Sequence, residues 1–107
     1  MTTSQLAADL DRLIERVARW SAGSWRLPAT GTAGSRAEVT HRLVQRLADL
    51  EAAMTGHAAY TVPRLDSDLA LPDQLRVVAR DLIAADPEPA TVAAATEAVQ
   101  AARAALV

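Results

Sequence analysis

Apolar residues recur every three to four positions in four stretches of the chain, and no stretch alternates with the period of two that marks a strand. In the first stretch Leu6, Leu10, Leu13, Ile14, Val17 and Trp20 form one stripe, with Asp9, Asp11, Arg12, Glu15, Arg16 and Arg19 between them. This predicts a helix over about 5–22, with Gly23 as a natural residue after its end and Pro28 as a hard limit. The second stripe is Val39, Leu43, Leu47, Leu50 and Met54. Ser35 and Glu38 are spaced as a capping box ahead of it and Gly56 follows, which predicts a helix over 36–55. Leu75, Val78, Ala79, Leu82 and Ile83 make the third stripe, and Pro72 suits the first position of a helix over 72–85. In the last stretch Val92, Val99 and Leu106 recur at seven-residue spacing, with Ala almost everywhere else. There Asp86 is expected to cap and Pro87 to occupy the first position of a helix over 87–106. The predicted fold is an all-α four-helix bundle forming one domain over residues 1–107.

Two connectors stand out. "PATGTAGSR" is small, polar and flexible. The second, over 57–71, reads "HAAYTVPRLDSDLAL" and has no clear helical period. A loop that long in a small domain is expected to be packed, functional or partly a short helix, with Asp66 capping one turn that contains Leu69.

Composition changes the picture in one respect. Of 107 residues, 25 are Ala, 13 Leu and 9 Val, while Phe and Cys are absent. An Ala-rich core buries little area at about 25 cal/mol per Å². Stability must then come from close helix approach and helix propensity, or from a partner that covers more surface. The lack of Cys excludes disulfides, a thiol nucleophile and thiolate metal sites. The N-terminus shows no basic, then apolar, leader pattern, and no apolar run nears the ~20 residues of a membrane span, so a cytoplasmic location is expected. The net charge of −2 is uneven and every cation is Arg. Residues 1–64 hold eight Arg against six acids, and residues 65–107 hold three Arg against seven. That surplus is too small to point to nucleic acid.

The two tryptophans of "RWSAGSWRLPATG" are separated by the helical wheel. Trp20 falls on the core stripe, about 55° from its centre, whereas Trp25 lies about 85° away if the helix persists. The expectation is that Trp20 plugs the core. Trp25 is expected to cover the bundle end, where it is available for docking.

No catalytic constellation emerges. Glu38 and His41 have the Glu-x-x-His spacing of di-iron bundles, but only one such motif is present. Both residues point away from the core stripe, by about 140° and 160°. His57 lacks positioned co-ligands, and Asp66 and Asp68 lack the Gly and Glu of a calcium loop. Gly31 and Gly34 follow no strand, which argues against a phosphate loop. Arg12, Arg16 and Arg19, and likewise Arg42 and Arg46, read as solvated faces interleaved with acids.

The order of a helix, a Trp-containing segment, a polar loop and a helix bearing a His, over residues 6–55, resembles the DinB-like metal-dependent bundles. That family uses three His on different helices, and only His41 matches one. The resemblance therefore implies a bundle of similar shape without a metal.

Two features point to a protein partner. Val77 lies about 160° from the core stripe of its helix. The Val92–Val99–Leu106 seam is flanked by Ala on nearly all sides, as in a helix covered all round. The leading expectation is a small non-catalytic protein that binds another protein or itself, as accessory subunit, adaptor or homodimer, with no cofactor, metal, nucleic acid or membrane. The alternative is a small-molecule pocket between Trp20, Trp25 and the Tyr60–Arg64 loop, with Arg26 or Arg64 meeting an anionic group. A DNA-binding regulator ranks last, because the loop after the first helix is too long for a helix-turn-helix.

Overall fold

The computed structural model of the chain describes residues 1–107. It is all-helical, with α1 (Thr3–Val17), α2 (Ala22–Arg26), α3 (Arg36–Thr55), α4 (Leu71–Ala84) and α5 (Pro89–Ala105). A 3-10 turn, Asp68–Ala70, precedes α4, and the one extended pairing is an isolated bridge between Pro28 and Ser35. No helix is long and apolar enough to cross a membrane. The long helix α3 packs against α4 and α5, and α1 packs against the same two. Together with Trp25 of α2 and Val62 of the α3–α4 connection they enclose a core of 24 residues.

The middle helix follows its local signals. Ser35 Oγ accepts from the Glu38 amide at 3.1 Å, and Glu38 Oε1 accepts from the Ser35 amide at 3.1 Å. Gly56 ends the helix in the left-handed region at φ 78°, open to Gly without strain. Those hydrogen bonds to Ser35, with smaller help from Arg42 and Arg64, hold the Glu38 carboxyl below its ordinary pKa.

The first helix departs from expectation. It stops at Val17 instead of running to about residue 22, and Ser21 starts α2 by accepting from the Ser24 amide at 3.2 Å. Gly23 lies inside α2 and terminates nothing. A continuous helix leaves Trp25 on a flank; the break turns it into the core, where it is 0% exposed. Burying an indole of roughly 200 Å² is worth a few kcal/mol, against about 1 kcal/mol for each helical hydrogen bond given up. Burial of the largest side chain wins over helix continuity. Trp20 is half-buried above it, with ring centroids 4.9 Å apart and planes at 66°. The Arg36 guanidinium sits 4.7 Å from the centroid of the Trp20 ring, so Trp20 bridges the core and the start of α3.

The start of α5 is displaced for a different reason. Residues before proline are driven out of the helical region, so Glu88, which precedes Pro89, is extended at ψ 162°. The helix therefore begins at Pro89 and not at Pro87, and Asp86 adopts φ 54° in place of the expected cap. Along α5, Val92, Ala95, Val99, Ala102 and Leu106 face the core, while Ala93, Glu97, Gln100, Ala101 and Ala104 face out. Its far end is well tied. Arg16 of α1 donates to the Leu106 carbonyl, and the Thr30 amide donates to Ala105 O at 2.8 Å. Carbonyls that an isolated helix leaves without partners are thus satisfied from α1 and from the 28–35 loop.

Candidate functional site

After Gly56 the chain does not loop away from the bundle. Residues 57–67 form an irregular strap whose middle, residues 60–63, is held against α3 and α4 by three side chains that the helices supply. The Gln45 amide straddles the strap backbone: its Oε1 accepts from the Val62 N–H at 2.8 Å and its Nε2 donates to Tyr60 O at 2.8 Å. Nε2 of His41 donates to Val62 O at 2.9 Å, which fixes the Nε2–H tautomer. From α4, Nε2 of Gln74 donates to Pro63 O at 2.9 Å. Val62 anchors the middle of the strap in the core. A segment without helix or sheet must find partners for its own N–H and C=O groups, and these glutamines and this histidine provide them.

With the strap fixed, a groove of about 370 Å³ opens between it and α4. Tyr60 and Leu65 of the strap and Val77 of α4 line its walls, with Val62, Ala70 and Val78. Tyr60 is 52% exposed, Leu65 47% and Val77 57%, so three large apolar side chains converge on one solvent-facing spot. Leu69, on the 3-10 turn, is also exposed. The polar members of the groove are Asp73 and Gln74. Asp73 pairs with Arg76 at 2.6 Å, and Oε1 of Gln74 is buried without a hydrogen-bond partner. Arg64 on the strap is engaged with Asp68 at 2.7 Å, while Asp66, beside Leu65, is exposed.

Of the residues singled out from the sequence, the structure therefore brings Tyr60 and Val77 together and leaves Arg64 in an ion pair nearby. It removes four others from any docking role. Trp25 is fully enclosed, and Val92, Val99 and Leu106 are core residues at 3%, 0% and 1% exposure. The seven-residue seam of α5 is real, but the chain's own helices cover it. Arg26 is exposed at the end of α2 and lines none of the four principal grooves. Neither tryptophan lines one of them either, so none of these four grooves is the pocket expected between the tryptophans and the Tyr60–Arg64 segment. The indole N–H of Trp25 is buried without a partner.

Leu65, Gln45 and Gln74 had no distinguishing sequence signal. Leu65 lies where no period operates, and the two glutamines read as ordinary polar helix positions. The outward tilt read for His41 is correct, but the strap covers that side and leaves the ring only partly exposed. His57 lies beside Thr55 at 3.0 Å and Glu51 at 3.5 Å. The turn before α4 is capped by Ser67, whose Oγ accepts from the Leu69 amide at 3.2 Å, and not by Asp66. No three His, Cys, Asp or Glu residues are grouped so that they could hold a metal ion. The chain matches no protein-family model, no curated protein and no solved structure.

Proposed function

We propose that the protein is a four-helix bundle that acts by binding another protein, not by catalysis, and that the partner seats in the groove between the strap and α4. The observation that carries this reading is the convergence of exposed Tyr60, Leu65 and Val77 around one concavity. Contiguous exposed apolar side chains on a small domain mark interaction surfaces, and aromatic and branched anchors beside a cleft fit a partner's apolar side chain.

The rim narrows the partner's chemistry. Asp66, next to Leu65 on the strap, is exposed and has no ion-pair partner, whereas Asp73 of the groove is paired with Arg76 and Arg64 with Asp68. A segment with apolar anchors flanked by Lys or Arg suits this surface. A second copy of the chain suits it less well, because in an isologous contact its groove brings no free cation, Arg64 and Arg76 being already paired.

The test uses immobilised protein and an extract of its native source, with three chains compared: the wild type, Val77→Asp and Ala93→Asp. Both substituted positions are exposed, so folding is preserved. A discrete partner held by the wild type and Ala93→Asp, lost with Val77→Asp and eluted by salt, is the expected result. Equal retention on all three chains rejects the groove as the binding surface.

A further inference from the structure

We infer that a second cleft, between α3 and α5, binds a single-chain amphiphile with an anionic headgroup. The cleft has a volume of about 630 Å³, within the range of small-molecule sites. Its floor is Val39 and Leu43 of α3, and its far wall is Ala98, Ala101 and Ala105 of α5. No side chain longer than Ala rises from that wall, so the trough stays open along its length. The loop at Thr30–Thr32 closes one end, where the Thr30 amide is bonded to Ala105 O.

The charge on the cleft has one sign. Arg42 and Arg46 line it, and no Asp or Glu does. Arg42 donates to Ala33 O at 2.8 Å, which steadies it against the closing loop. Arg46 has no hydrogen-bond or ion-pair partner in the protein. The hydroxyl of Thr32 adds a donor at the closed end, whereas that of Thr30 already donates to Val107 O at 3.1 Å. An unpaired guanidinium above an apolar trough is complementary to a carboxylate or phosphate carried on an apolar tail.

Length decides between a small molecule and a peptide helix. The trough runs from Val39 to Arg46 on α3 and from Ala105 back to Ala98 on α5, roughly 10 Å at about 1.5 Å per residue. That is two helical turns with one end shut. A docking helix of three or four turns overruns it, whereas a medium-length acyl chain fits inside. The headgroup then meets Arg46 at the open end, with Arg42 beside it.

The site is separate from the Tyr60–Val77 groove, so either reading can fail without the other. Decanoate is the probe, followed by amide chemical shifts of isotope-labelled protein, with decylamine as the charge control. Saturable shifts are expected at Val39, Ala98, Ala101 and Ala105 with decanoate and not with decylamine. Arg46→Gln is expected to weaken binding at least tenfold, and Ala101→Leu, which fills the trough, to abolish it. Both positions are exposed, and unchanged spectra elsewhere confirm that the variants fold. Equal shifts with decylamine, undiminished decanoate binding by Ala101→Leu, or shifts absent from these residues overturn the assignment.

Discussion

Gln45 and Val62 share a hydrogen bond that decides the shape of the surface: the Gln45 side-chain oxygen accepts from the Val62 amide at 2.8 Å while its nitrogen reaches Tyr60 O. A single helical residue thereby holds two backbone groups of the strap, and with them Tyr60 at the groove. Replacing Gln45 with Ala leaves the Val62 N–H and the Tyr60 carbonyl without these partners. The expected cost is about 1–3 kcal/mol of local stability. Hydrogen exchange reads it directly, with the Val62 amide exchanging at least tenfold faster while amides in the middle of α3 keep their rates.

The tryptophans are predicted to be unequal. Trp25 is fully buried and Trp20 half-exposed, so Trp25→Ala is expected to cost about 3–5 kcal/mol in denaturant unfolding and Trp20→Ala markedly less. Equal losses would contradict the placement of Trp25 as the core plug.

Acid is expected to loosen the start of α3. The pKa of Glu38 is lowered in the folded chain, chiefly by its hydrogen bonds to Ser35. A carboxyl depressed on folding stabilises the protein above its unfolded pKa, and that contribution fades as pH falls through the folded value. Glu38→Gln should therefore be less stable than the wild type at pH 7, and the gap should close as acid takes the pH below the ordinary carboxylate range. Ser35→Ala is expected to cost about 1 kcal/mol at neutral pH, read from the shift of the unfolding midpoint.

Arg16 secures the end of the chain through the Leu106 carbonyl. With Arg16→Met the amides of the last turn of α5 should exchange faster while those near Val92 do not change. Uniform acceleration along α5 would show that the contact supports the whole helix instead of its end.

How much was legible in the chain depends on the range of the interactions involved. The bounds of α3 were readable at both ends because Ser35, Glu38 and Gly56 act on their own neighbours. The end of α1 was not, since it is set by the gain from burying Trp25 among residues distant in sequence. The start of α5 was in principle local, but two prolines competed, and Pro89 prevailed by forcing Glu88 extended. Val77 could be recognised as outward-facing from its wheel position, and Tyr60 as the lone tyrosine in an aperiodic stretch. Their meeting could not be read, because it depends on Gln45, His41 and Gln74 folding the strap back onto α3 and α4. The Val92–Val99–Leu106 seam shows the converse. Its spacing marked a buried face, but periodicity does not tell whether the chain itself or a partner covers it.

The most direct test of the binding groove is a photo-crosslinking side chain placed at position 60, compared with the same group at position 97 on the outer face of α5. In the native source, position 60 is predicted to give one discrete adduct that Val77→Asp eliminates, and position 97 none. No adduct from position 60, or the same set of adducts from both positions, would contradict the groove as the surface through which this protein works.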